Sequence, residues 1–279
     1  MEGIYSLMDV LLPFPSLQFS FMKNAFLAIL LLTPLLGLLG TMAVNQQMAF
    51  FSDALGHSAL TGIGLGMILG VGNDLVSMLV FGVIWAVLIG LIKHTGSASA
   101  DTVISVFSST SVAAGLLILS RGGGFAKYSS LLIGDILAVT PQDILYLLLA
   151  LIAGTVLWML LYNGLLLTSI NASLAHSRSI PTRLYEIAFS ILVAVAVMLA
   201  IRWVGVMLIN ALLILPAAAG RNLARTSRQH ALWSVGIALF SGVVGLTASY
   251  YLDTSAGATI VLVSALFYAV SLLIRSVRK

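Results

Sequence analysis

The chain has no cysteine, and it is poor in charge, with 13 Lys and Arg and 9 Asp and Glu among 279 residues. Without thiols there is no disulfide framework, no thiolate metal site and no cysteine nucleophile. Charged residues make up 8% of the chain, against roughly 25% in a soluble domain. That is too few to clothe a water-facing surface. What the chain has instead is apolar side chain: 60% hydrophobic residues and a mean hydropathy of +1.12. No soluble fold hides so much, so a soluble enzyme and a disordered chain are both excluded. The net charge of +4 is no sign of a nucleic-acid partner here, because in a membrane chain basic residues mark the cytoplasmic side. The sequence reads as a polytopic membrane protein whose surroundings are lipid.

Motifs for chemistry are also missing. No G-x-x-x-x-G-K-[ST] occurs. The nearest stretch, Gly122-Gly123-Gly124-Phe125-Ala126-Lys127, lacks the glycine before lysine and the hydroxyl after it. The chain therefore has no P-loop cradle for nucleotide phosphates, and any ATP it uses is hydrolysed by a partner. Gly134-Asp135 resembles part of an aspartyl intramembrane protease motif, but no Tyr-Asp pair supplies the second carboxylate. His57 and Ser58 are adjacent, so at ~100° per residue their side chains diverge instead of forming a nucleophile–base pair. An enzyme is not expected.

A helix crosses ~30 Å of hydrocarbon with ~20 apolar residues. Such runs lie near 24–44, 52–72, 75–92, 102–120, 142–162, 184–201, 203–220, 231–252 and 256–274. They are too long and too little alternating for barrel strands. The fold class expected is therefore all-α, a transmembrane bundle of about eight to nine spans. Residues 24–279 form one membrane domain, preceded by a segment 1–23. In that segment Ile4, Leu7, Met8, Leu11 and Leu12 recur at helical spacing, which fits either a helix lying in the interface or a frayed tail. Glu2 and the prolines there speak against a signal peptide.

Gly72-Asn73-Asp74 marks a tight turn and Asp253 an N-cap before the last span. Only Arg202-Trp203 separates the sixth and seventh spans, which fits either a hairpin or a broken helix. Pro216 should kink or end the seventh. With nine spans and the N-terminus outside, Lys93, Arg178, Arg183, Arg221, Arg225, Arg228, Arg275, Arg278 and Lys279 are inside. Lys23, Arg121, Lys127 and Arg202 are outside, so the C-terminus is cytoplasmic by the positive-inside rule.

Ionisable groups within hydrocarbon are costly and mark function by default. Asp74, Asp101, Asp253 and Arg202 sit near span ends, where caps and snorkelling satisfy them. His94, His176 and His230 fall at ends or in loops and are expected to be solvated. Asp53 and His57 are different. Spaced i and i+4, they share one face of the second span. Ser52, Ser58 and Thr61 surround them, and Gly56, Gly62, Gly64 and Gly66 allow neighbouring helices to come close. A carboxylate and an imidazole on one face suit a divalent ion such as zinc or manganese. The same spacing also suits a His bonded to its own Asp in helix packing. Asp135 reads equally as a second acid on a metal path or as an interfacial residue.

The stretch from Asn45 to Gly62, with Ser52-Asp53-Ala54-Leu55-Gly56-His57-Ser58 at its centre, resembles the permeases of zinc- and manganese-type ABC transporters (the ABC-3 family). Gly205 to Ala219, Ser249 to Leu262 and, more loosely, Leu132 to Leu137 agree with it in order. The resemblance implies a type II ABC importer-like bundle in the bacterial cytoplasmic membrane. It implies a second permease copy or homologue, a cytoplasmic ATPase dimer and an extracytoplasmic metal-binding protein. It implies no permanently bound cofactor, only zinc or manganese as cargo, with Asp53 and His57 among its ligands. Protonated His57 has no lone pair to give, so uptake is expected to weaken on acidification. The ATPase contact is expected between the fifth and sixth spans, with Asn171, Leu174, Ala175, Arg178 and Ser179 as its residues. Of the family's Asp, Ala, Gly pattern there only Ala175 is kept. A secondary metal/proton transporter using the same pair without a nucleotide partner is the alternative reading.

Overall fold

A computed structural model of the protein describes residues 15–94, 99–121, 134–170 and 180–277, with residues 3, 5, 6, 8, 96, 128, 175, 177 and 178. Of the coupling residues, Asn171, Leu174 and Ser179 lie outside the described residues, as does His176; of the N-terminal apolar positions only Met8 is described, and it is buried. Eight helices organise the described residues: α1 (Ser20–Asn45), α2 (Phe51–Ile68), α3 (Asp74–Lys93), α4 (Ala100–Arg121), α5 (Pro141–Ile170), α6 (Thr182–Leu223), α7 (Ser227–Leu252) and α8 (Ala256–Val277). No strand occurs among them. Seven are long and apolar enough to cross a membrane; the exception is α2, the helix that carries Asp53 and His57.

At ~1.5 Å per residue, α6 would be about 63 Å long, twice the thickness of the hydrocarbon it would have to cross. It does not run straight. Gly205 has φ 78° and ψ 163°, inside an otherwise helical run, a conformation open to glycine and strained for other residues. Contacts with neighbouring helices define the path on either side of it. The Tyr185 ring packs over Gly164, next to Leu165, whose carbonyl accepts from Gln46 Nε2 at 3.0 Å. Arg221 Nη1 lies 3.5 Å from the carbonyl of Val44. Residues 185 and 221 thus both sit at the C-terminal end of α1, although a straight helix would hold them about 54 Å apart. The chain folds back at Gly205 into two legs, 182–204 and 206–223. Of the two readings left open for the Arg202-Trp203 junction, the hairpin is the one adopted.

The resulting alternation of nine legs among the described residues gathers Lys93, Arg183, Arg221, Arg225, Arg228 and Arg275 at one end of the bundle. Their links are direct: Lys93 Nζ pairs with Glu186 Oε2 at 3.1 Å, and Arg275 Nη1 donates to Asn222 Oδ1 at 2.9 Å. Lys23, Arg121 and Arg202 mark the opposite end. The core lies along α1 and both legs of α6, where Ile29, Leu36, Leu39, Phe189, Val197, Met198 and Leu212 have no measurable exposure. α5 and α8 keep most of their surface outward, as lipid-facing helices do.

One local expectation is corrected and another narrowed. Asp253 is not an N-cap: it is the left-handed C-cap of α7, at φ 52°, a conformation that short polar side chains tolerate. A side-chain N-cap does occur at the start of α3, where Asn73 Oδ1 accepts from Leu75 N and Val76 N. Pro216 does not end its helix. The second leg continues through it to Leu223, so of the two readings, a kink or an end, the end is excluded.

Candidate functional site

The site begins with the way α1 ends. Gln47 adopts φ 56°, Gln47 N donates to Val44 O at 3.3 Å and Met48 N donates to Ala43 O at 2.8 Å. This is a Schellman closure, which satisfies the last carbonyls of α1 and reverses the chain sharply. The reversal launches α2 at Phe51, so Asp53 falls in its first turn and His57 in its second. Gly56 lets α2 press against the second leg of α6: a Cβ there would lie 2.4 Å from Val206 Cγ1. Close approach at that point brings Asn210 to Asp53.

The geometry is then simple. Asn210 Nδ2 donates to Asp53 Oδ1 at 2.7 Å. His57 Nε2 stands 3.6 Å from the same oxygen, beyond hydrogen-bonding distance. The two side chains are half exposed, 34% for His57 and 47% for Asp53. They line a recess of about 350 Å³ with Val206, Met207 and Asn210. A carboxylate only accepts, so the amide nitrogen of Asn210 must face Asp53. That leaves Asn210 Oδ1 buried without a hydrogen-bond partner, an uncommon state for a carboxamide oxygen. The arrangement offers one carboxylate oxygen free of the Asn210 bond, one imidazole and one nearby carboxamide to a small cation.

Among the described residues no group of three His, Cys, Asp or Glu side chains comes together as a metal site. Asp53 and His57 share one recess, whereas Asp135 belongs to another. It caps the short turn Ile136–Ala138 by accepting from Leu137 N at 3.0 Å. It lines a recess of about 140 Å³ with Val204, Leu208, Thr254 and Ser255, over the hairpin turn. Gly134 seals this end: a Cβ on it would fall 2.2 Å from Val204 O.

The hydroxyls around the pair divide by role. Thr61 Oγ1 donates to Ser111 O and so ties α2 to α4; Ser58 Oγ bonds back to Leu55 O at 2.7 Å. Ser52 Oγ is buried and unpartnered. One histidine expected to be solvated is not, whereas His94 is exposed as expected. His230 is buried, with Nε2 2.9 Å from Ala217 O, because α7 packs its first turns on the second leg of α6. His94 Nε2 lies 3.5 Å from Glu186 Oε2. Ala175 is fully buried and Arg178 exposed.

Two residues escaped the sequence reading. Asn210 lies 157 positions from Asp53; its only signal was a lone carboxamide in an apolar run. Glu186, the acceptor for Lys93 and His94, was hidden in a predicted span near its end.

Known proteins share this architecture. The manganese import system permease protein ScaB of Streptococcus parasanguinis is 30% identical over 257 residues, covering 92% of this chain and 91% of its own. The high-affinity zinc uptake system membrane protein ZnuB of Haemophilus influenzae is 29% identical, covering 91% and 98%. Among solved structures, a chain of PsaBC from Streptococcus pneumoniae in complex with Fab superimposes with a TM-score of 0.79 at 27% identity, covering 97% of this chain and 95% of that one. An inward-facing putative metal-chelate type ABC transporter shares the fold, with a TM-score of 0.68 at 14% identity. The model of the ABC 3 transport family matches residues 18–275, nearly the whole chain, and the protein belongs to that family.

Proposed function

We propose that this protein is the membrane-spanning permease subunit of an ATP-driven importer for a divalent transition metal, zinc or manganese. The observation that carries the proposal is the recess in which Asp53, His57 and Asn210 converge. The family and the import and uptake roles named for its relatives supply the reaction. Ionised Asp53 and neutral His57 hold the cation in transit, and Asn210 steers the carboxylate by fixing one of its oxygens. Two protein ligands leave a divalent ion short of a full shell. Water, or the same pair on a second permease copy related by two-fold symmetry, completes it.

The partners in this reading are a cytoplasmic ATPase dimer and an extracytoplasmic metal-binding protein that delivers the ion. The end of the bundle rich in arginine faces the cytoplasm of a bacterial inner membrane, with the C-terminus on that side. The ATPase couples through residues near 169–180, with Ala175 buried as an anchor and Arg178 exposed to the partner. Residues 1–23 form an interfacial segment ahead of a permease body spanning 24–279.

The test is uptake of radioactive zinc and manganese by cells carrying the complete system. Asp53→Ala and His57→Ala are expected to abolish uptake while membrane abundance and ATPase assembly stay normal. Normal uptake by either variant would refute the assignment of the pair.

A further inference from the structure

The arginine-rich end of the bundle contains a recess that the transport reading does not use. It measures about 250 Å³ and is lined by Asn45, Arg221, Arg225, Thr226, Ser227 and His230 among others. Among the described residues no carboxylate lines it. Arg221 makes one long bond, to Val44 O at 3.5 Å. Arg225 uses its backbone N–H, which donates to Gln229 Oε1 at 2.9 Å. Among the described residues neither guanidinium is in an ion pair. The first turn of α7 adds the positive end of a 26-residue helix, with Thr226 Oγ1 accepting from Gln229 N as its cap. His230 is buried and closes the floor with its bond to Ala217 O.

Two uncompensated cations and a helix end around one hollow call for an anion with several acceptor oxygens. The surroundings choose its source. Leu232 and Trp233, 74% and 49% exposed, come next on the same helix toward the hydrocarbon, where an indole favours the headgroup level and leucine favours acyl chains. We propose that Arg221, Arg225 and the first turn of α7 bind the phosphate of an anionic phospholipid. The assignment to the cytoplasmic leaflet rests on the cytoplasmic placement of the arginine-rich end. Since Arg221 and Asn210 lie on the same leg of α6, a lipid held here anchors the helix that steers Asp53.

The full-length permease, reconstituted in nanodiscs of mixed phosphatidylglycerol and phosphatidylethanolamine and then released, is examined by native mass spectrometry. Wild type is expected to retain phosphatidylglycerol in preference to phosphatidylethanolamine. Arg225→Gln, which breaks no bond within the chain, is expected to lower that retention roughly fivefold, and adding Arg221→Gln to lower it further. Arg121→Gln, at the other end, should leave it unchanged. Equal retention in wild type and Arg225→Gln overturns the proposal. So does displacement of the lipid by millimolar inorganic phosphate, which would identify a free-phosphate site. Loss of the ATPase from Arg221→Gln/Arg225→Gln with lipid retained would make the arginines a protein contact and also overturn it. Labelling of Arg228→Cys from outside the cell would overturn the leaflet and the orientation together, while leaving lipid retention to be judged by mass.

Discussion

Two acid–histidine clusters occur among the described residues, and they differ in whether a lysine completes them. At Glu186 the carboxylate already has a cation: Lys93 Nζ stands at 3.1 Å and His94 Nε2 at 3.5 Å. These groups join α3 to the first leg of α6. At Asp53 the partner is a neutral amide, Asn210, and the imidazole of His57 stands off at 3.6 Å, both facing a recess. The difference lies in who supplies the positive charge. A lysine closes the first cluster, whereas the second has no such group beside it among the described residues, which is the position the proposed function gives to the metal ion. An acid and a histidine in proximity therefore say little until the third group is known.

The largest effect expected from breaking this contrast is at Asp53. Asp53→Ala should reduce metal uptake by about 100-fold or more, beyond the 10–100-fold typical of residues that merely support a ligand; radioisotope uptake at matched membrane abundance measures it. Asn210→Ala should fall within that 10–100-fold band, because Asp53 keeps its charge but loses its orientation. Equal loss in Asn210→Ala and Asp53→Ala would show that the amide does more than steer. Glu186→Gln should leave uptake within about twofold but lower stability by about 1 kcal/mol, by stranding Lys93 and His94. A thermal melt of the purified protein reads this, and a collapse of uptake at unchanged stability would break the contrast. The smallest effect is expected from Ser52→Ala. Its hydroxyl is buried without a partner, so its removal should be neutral or slightly stabilising, with uptake unchanged.

Much of the architecture is legible in the sequence because the bilayer imposes length. The runs predicted at 75–92 and 102–120 correspond to helices 74–93 and 100–121, within a residue or two, since continuous apolar sequence leaves no other way to satisfy the backbone. The fifth span is longer than its apolar run suggests. Tyr162-Asn163-Gly164 looks like a terminus, but Gly164 is instead the seat of the Tyr185 ring, and α5 runs on to Ile170. The turn at Gly205 is hidden for a related reason. One glycine reverses the chain, and the neighbouring Arg202-Trp203 attracts attention only by its polarity.

The site is half legible. Asp53 and His57 share a helix face, which periodicity reveals. Asn210 comes from another helix, and nothing local to either segment records that they meet. His230 eludes the sequence because a place at a helix start suggests exposure, whereas the packing of α7 on α6 buries it.

Since Asp53 lies in the opening turn of α2, the partial positive charge at that helix end, equivalent to roughly half an elementary charge, opposes any metal ion drawn to the carboxylate. If the pair holds the metal as proposed, that helix end loosens its grip. A storage protein would find such a location a defect. For a conveyor, whose throughput depends on surrendering each passenger, modest affinity is the useful property.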